Sequence, residues 1–232
     1  MMNRDFLDLD TAITAALGDL AGLRAVDLGC GAGRAARVLA AMGAEVTGLD
    51  PNAEAVAAAR ARGGARYLVA PAEATGLPTA AFDLAVFAES LHHADDRDAA
   101  LAEAARIVRP GGRIAVLEPE AGDPIHAAAR LVDDEAPVYA DAVRALAALV
   151  AAGRAWRAAP LHYAAKYRAA GPQALLDDML AVDPCRRLDP ADRPAFEAAF
   201  HAACRSDAQG RYLPYWQRLD VLTLRGEAPR RD

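Results

Sequence analysis

Val26-Asp27-Leu28-Gly29-Cys30-Gly31-Ala32-Gly33-Arg34 is a short apolar strand that runs straight into a glycine-rich turn. Arg24 to Leu28 is brief and β-compatible, and Ala35 to Met42 has the length and residue types of a helix. Glycine suits the turn between them, because a residue without Cβ lets the backbone bend sharply and lie against a ligand. The first N–H groups of the helix then face whatever sits on the turn. Strand, turn and helix together read as a site for a nucleoside-containing cofactor. The spacing is G-x-G-x-G, whereas the dinucleotide pattern G-x-G-x-x-G needs a third glycine or alanine where this chain has Arg34. A nicotinamide dinucleotide is therefore disfavoured relative to a cofactor that lies across the loop. The plain alternative is a tight strand-to-helix turn that binds nothing.

Outward from the turn, strand and helix patterns alternate. Ala44 to Asp50 reads as a second strand ending in an acid, followed by an alanine-rich helix to Arg62. Asp50 stands about 20 residues beyond the glycines, where strand–helix–strand geometry returns an acidic side chain to the ligand edge to accept ribose hydroxyls. Its other reading is the N-cap of the next helix. Ala65–Val69 and Phe82–Ala88 are further strands, Arg97–Val108 is an amphipathic helix and Arg113–Leu117 a fifth strand. Such alternation implies a parallel sheet with ligands at the carboxyl ends of its strands. Ahead of them, Asp10 to Leu20 has helical spacing.

Composition limits the classes of function. The chain has 232 residues, a net charge of −6 and a pI near 5.4, without the basic footprint of a nucleic-acid enzyme. Met1 to Asp8 lacks the apolar core of a signal peptide, and the longest apolar run, Ala145 to Ala152, is far short of the ~20 residues that span a bilayer. Three cysteines, Cys30, Cys185 and Cys204, show neither a disulfide framework nor a zinc spacing, so no metal is expected and a reducing cytoplasm fits.

Five segments in this order and spacing, VDLGCGAGR, VTGLDPN, APAEATGLP, FDLAVFAESLHHADD and ARIVRPGGRIAVLEPE, resemble the class I S-adenosylmethionine-dependent methyltransferases. The likeness is to the small-molecule branch typified by ubiquinone and menaquinone biosynthesis methyltransferases, and covers roughly residues 10 to 120. It implies an α/β fold: a Rossmann-like, seven-stranded, mostly parallel sheet with a reversed last strand, here Tyr215–Leu224, plus a helical lid inserted after the fifth strand. The expected domains are a cofactor-binding core over 1–118, a helical substrate region over 119–211, and the final strand with its tail over 212–232. By the resemblance, Gly29, Cys30 and Gly31 line the methionine and ribose of S-adenosylmethionine, with Asp27 nearby. Asp50 holds the ribose hydroxyls, Pro51 packs on adenine, Ala72 offers its N–H to the adenine ring, and Ala88 offers its carbonyl to the methionine ammonium. Pro71 departs from the family pattern, which often has an Asp there for the adenine amine. Proline has neither carboxylate nor N–H, so that role falls to Glu73 or to water.

The chemistry asks for orientation more than for acid–base groups, since the sulfonium methyl is already activated. A base is needed only where the acceptor arrives protonated. His92 and His93, just past the fourth strand, have the right reference pKa for that role, and capping or packing is their other use. Glu89 and Glu118, at strand ends, either orient a polar acceptor or pair with arginines. In 119–211, Pro124–Leu131, Pro137–Gly153, Pro172–Ala181 and Pro190–Cys204 read as helices, several opened by proline. Tyr139, Trp156, His162, Tyr163 and Tyr167 are candidates for an apolar acceptor pocket. The expectation is a methyltransferase that moves the sulfonium methyl to O, N or C of a small molecule and leaves S-adenosylhomocysteine. The alternative is a non-catalytic scaffold or regulator of the same fold that binds the same ligand.

Overall fold

Every residue of Arg24–Leu28 (β1) after the first is buried, because β1 has a parallel neighbour on each side and covered faces above and below. That is why its sequence is a nearly continuous apolar run rather than an alternating one. The computed structural model describes residues 4–183 and 185–225. In it, β1 is followed by Arg34–Ala41 (α2), Glu45–Asp50 (β2), Ala53–Arg62 (α3), Arg66–Val69 (β3), Phe82–Ala88 (β4), Arg97–Ile107 (α4) and Val108–Pro119 (β5), with Leu9–Leu17 (α1) ahead of it. The remaining elements are His126–Ala129 (α5), Ala136–Ala151 (α6), Ala155–Arg157 (β6), Leu161–Tyr167 (β7), Pro172–Val182 (α7), Arg193–Ala203 (α8), Arg205–Asp207 (β8) and Gly210–Leu224 (β9).

The main path of the sheet runs β3-β2-β1-β4-β5-β9-β6. The pairs β1–β2, β1–β4, β2–β3 and β4–β5 are parallel, and β6 runs antiparallel to β9. Chain order reverses between β1 and β4. In open α/β sheets that switch point is where ligands bind, beyond the carboxyl ends of the strands.

Two compact units are present. The larger comprises Leu9–Glu118, Ala140–Leu161 and the described residues from Arg218 on. One face of its sheet, with Val26, Leu28, Phe87 and Val116, closes on Ala100, Leu101, Ala104 and Ile107 of α4 and on Leu146 and Leu149 of α6. The stripe expected on α4 is thus wholly buried. The smaller unit comprises the described residues up to Asp8, Pro119–Tyr139 and His162–Gln217. Its core gathers Ala128, Leu175, Leu176, Phe196, Phe200 and Leu213. Its first segment is held by a bridge from Phe6 to Ala164, by Arg4 on Glu120, and by the Phe6 ring edge-on to Tyr212.

The sheet has nine described strands rather than seven, because β7 and β8 pair with β9 off the main path. β6 and β8 are three residues each, too short for any alternation to show; β6 and β7 owe their form to β9, distant in sequence, and β8 is the short arm of a hairpin with its start. The expected helices of 119–211 are present, the first shortened to one turn, but these strands lie among them. The five aromatic candidates have separate engagements. Tyr139 bonds Glu135, Trp156 is 61% exposed beneath Arg225, His162 bonds Glu120, Tyr163 is buried, and Tyr167 bonds Asp178. No described helix is long and apolar enough to cross a membrane.

Candidate functional site

Beyond β1 the backbone is pinned by partners from its two neighbouring strands. The Leu28 carbonyl accepts from Ser90 Oγ at 2.6 Å, and the N–H groups of Gly29 and Cys30 both donate to the Leu49 carbonyl at 2.8 Å. The next N–H, of Gly31, donates to Asp50 Oδ2 at 2.8 Å. Gly29 and Gly31 are glycine for different reasons. Both have positive φ, 75° and 51°. A Cβ on Gly29 would lie 2.5 Å from that of Ser90, so this glycine lets the loop after β4 approach. A Cβ on Gly31 would meet nothing within 4 Å, so this glycine leaves an open cradle over the turn. Gly33, also left-handed, starts α2.

Asp50 is a brace and not the helix cap. The cap of α3 is Asn52, whose side chain accepts from the N–H groups of Glu54 and Ala55. Asp50 Oδ1 accepts the Asn52 N–H at 2.9 Å while Oδ2 takes Gly31. A carboxylate offers about four lone-pair sites, so each oxygen keeps capacity for a ligand hydroxyl. Asp27 has no solvent exposure, and neither carboxylate oxygen has a hydrogen-bond partner. Burial pushes its carboxyl up to about 7; the Ala36 N–H opposes this and the negative charge of Asp50 adds to it. Cys30, in the same turn, is pushed up to about 12 by burial and by the neighbouring Asp27 and Asp50, so it sits there as a neutral thiol.

The other expected cofactor contacts lie on adjoining segments. The Ala70 N–H donates to the Asp50 carbonyl at 3.2 Å, which ties the end of β3, and so the loop with Pro71, Ala72 and Glu73, to the end of β2. Ala72 is half-buried and Pro51 exposed. Glu73 accepts the Asp96 N–H at 3.3 Å and so bridges to the N-terminus of α4. Ala88 ends β4 opposite Leu117 of β5.

After β4 the chain makes a strained corner. Glu89 has φ 58°, rare for a residue with a Cβ, and its carboxylate pairs with Arg34 at 3.1 Å. Leu91–His93 then form a short 3₁₀ turn anchored by Glu118, which is 2% exposed. Glu118 Oε1 accepts the N–H groups of Leu91 and His92 at 3.0 and 3.3 Å, and Oε2 bonds His92 Nδ1. With Nδ1 carrying the proton toward the carboxylate, the basic lone pair of that ring is on Nε2. His93 is exposed, with ring centroids 3.9 Å apart. Of the two acids left open in the sequence, Glu89 takes an arginine, while Glu118 takes a histidine and a turn. Ser90 was not singled out there; its position two residues after the end of a buried strand, facing the first glycine, is the signal that marks it.

The residues present suit an adenosyl cofactor with a charged amino-acid tail. The turn offers an empty cradle at Gly31, a braced carboxylate at Asp50 and an unpartnered buried carboxylate at Asp27. Residues 26–116 match the family model described as a methyltransferase domain. Among curated proteins, the ubiquinone biosynthesis O-methyltransferase of Rhodopseudomonas palustris (strain BisB18) is 36% identical over 104 residues, 43% of this chain and 41% of that protein. That of Xanthomonas oryzae pv. oryzae (strain PXO99A) is 36% identical over 102 residues, 41% of this chain and 43% of that protein. The match thus spans only about two fifths of these relatives' length. Among solved structures, a putative methyltransferase from Bacillus halodurans C-125 superposes with TM-score 0.68 at 13% identity, covering 94% of this chain and 99% of that one. An S-adenosylmethionine dependent methyltransferase from Mesorhizobium loti gives 0.54 at 22% identity, covering 91% and 95%. These structural likenesses carry the fold.

Proposed function

We propose that this chain, whose residues 26–116 match the methyltransferase domain family, methylates a hydroxyl oxygen of a small molecule in the cytoplasm with S-adenosylmethionine as donor. The observation that carries the reading is the brace of Gly31 N–H on Asp50 beside an open cradle. Asp50 spends one lone pair of each oxygen on the backbone and presents the others to the two ribose hydroxyls. Gly29, Cys30 and Gly31 give their backbone to the methionine and ribose side, and Pro51 and Ala72 serve adenine. Pro71 has no side-chain acceptor for the adenine amine, its carbonyl accepts the Ala74 N–H, and Glu73 is engaged with the Asp96 N–H, which supports water in that place. Ala88 offers its carbonyl to the cofactor's ammonium. When bound, the cofactor supplies a sulfonium methyl already activated for displacement.

The choice of oxygen follows the curated relatives, which are O-methyltransferases. A hydroxyl is a poor nucleophile until its proton leaves, and His92 and His93 are the groups to receive that proton. Glu118 supports the assignment by holding His92 Nδ1. Residues 119–211 are the part proposed to select the acceptor.

The test is calorimetric titration with S-adenosylmethionine, S-adenosylhomocysteine and NADH, on the natural chain and on Asp50→Ala. Micromolar binding of both adenosyl ligands, no binding of NADH, and a loss of about 1.5–3 kcal/mol in the variant are expected, since bonds to a charged acceptor vanish. Binding of NADH, or unchanged affinity in the variant, overturns the reading. Transfer of a radiolabelled methyl group to a panel of phenols and catechols then separates an enzyme from a non-catalytic binder.

A further inference from the structure

Asp27 combines three features. It lies two residues before Gly29, the first residue of the turn that would hold the cofactor, it has no solvent exposure, and both of its carboxylate oxygens are without a hydrogen-bond partner. Its neighbours on β1, Val26 and Leu28, point into the apolar core, so Asp27 lies on the other face of the sheet, opposite Gly48 in the register of β2. The groups that face it come from four segments. Asp50 on β2 is negative, Arg34 on α2 is positive, and the Ala36 N–H of α2 points a dipole toward it. Cys30 in the turn and Tyr67 on β3 are also within electrostatic range, but burial raises both, so both are neutral near pH 7. The set leaves Asp27 without a cation committed to it by contact.

We propose that Asp27 is the residue that distinguishes the methyl donor from its demethylated product, by giving up its proton when a sulfonium cation arrives on the turn and taking one back from solvent when that charge is gone. The proposal rests on the functional reading above. S-adenosylmethionine carries one more positive charge than S-adenosylhomocysteine, because methyl transfer turns the sulfonium into a neutral thioether. Asp27 is poised for this difference because burial holds its carboxyl at about 7, within reach of either protonation state at neutral pH. Inside a low-dielectric turn a cation acts on such a group at longer range than it does in water. The donor is then held by an ionised Asp27, so its affinity rises with pH through this range, whereas the product, which adds no sulfonium charge, is held equally well across it.

Calorimetric titrations of both ligands between pH 5.5 and 8.5, each in two buffers of different ionisation enthalpy, count the protons released on binding. In the natural chain the donor releases a fraction of a proton near pH 7 that the product does not, and the ratio of donor to product affinity rises up to about tenfold from pH 6 to 8, the ceiling set by a one-unit shift. Asp27→Asn removes the part of both effects that belongs to this residue and leaves any from the ligands' own amino groups. A second measurement needs no variant: the ¹³C carboxyl resonance of Asp27 moves to a lower midpoint with the donor bound than with the product. Binding of both ligands with the same proton count in the natural chain and in Asp27→Asn, or an unmoved carboxyl midpoint, overturns the proposal and leaves the functional reading intact. Binding of neither ligand at any pH overturns both.

Discussion

A fully buried carboxyl group without a hydrogen-bond partner costs stability, and at Asp27 that cost depends on pH. Its folded value of about 7 lies above the ~3.9 of an unfolded aspartate, so between those limits the folded chain holds a proton that the unfolded chain has lost. Folding is therefore unpenalised by this residue below about pH 4, loses stability as pH rises through the window, and is fully penalised above about 7. Asp27→Asn, neutral throughout, is expected to be more stable than the natural chain by about 2–4 kcal/mol at pH 8 and about equal at pH 4, as read by urea unfolding at both. A constant difference across that range contradicts the assignment. The glycines make a second contrast. Gly29→Ala is expected to lose more than about 2 kcal/mol of stability, because its Cβ collides with Ser90 as well as adopting positive φ. Gly31→Ala pays only the backbone strain, about 1 kcal/mol, yet loses adenosyl binding by tenfold or more because the methyl fills the cradle. Thermal melting beside ligand titration separates the two. The sequence named both glycines and both acids, but not these differences. That Asp50 braces Gly31 while Asn52 caps the helix depends on backbone angles at the turn, which residue types alone do not specify.

At the scale of elements, α4 is fixed to the segment before β4 by one carboxylate. Glu103 Oε1 accepts the N–H and hydroxyl of Thr75 at 3.0 and 2.5 Å, and both of its oxygens accept from Arg106. The Arg106 and Thr75 bonds hold its carboxyl down at about 2. Because the folded value is depressed, this contribution is present above the unfolded value of about 4.3 and is lost as pH falls through 2. Glu103→Gln is expected to cost about 2 kcal/mol at pH 7, a difference that disappears by about pH 2, measured from the acid limb of the unfolding curve. The legible elements were those that announce themselves locally. β1 and β4 end where their apolar runs end, and α4 runs from its Asp96 cap to Ile107. β5 begins five residues before Arg113, since Arg109-Pro110-Gly111-Gly112 reads as a turn but is carried within an irregular strand opposite β4. β6, β7 and β8 were missed because each is a response to β9 and has little pattern of its own.

Across the whole molecule, the segments earliest in chain order make the proposed cofactor side, while the last strand completes the sheet. The turn after β1, Asp50 at the end of β2, the loop after β3 and the corner after β4 all belong to the ends of strands whose order could be inferred from alternation, which is why this part was readable. The part proposed to select the acceptor was not, because its helices carry core residues such as Phe196 and Phe200 that no short motif distinguishes from pocket linings. β9, fifteen residues long, lies between β5 and β6 in the sheet and also pairs with β7 and β8. This has a consequence in time. As the chain leaves a ribosome, β5 emerges with Ile114 and Val116 ready for burial, and its remaining edge stays open until Gly210 and the residues after it follow. At ~5–20 residues per second that interval is roughly 5–20 s, long compared with hydrophobic collapse, so nascent chains are exposed to edge-to-edge association for about two fifths of their synthesis. A chaperone that shields the β5 edge during those seconds would raise the yield of folded protein more than one that acts on the finished chain.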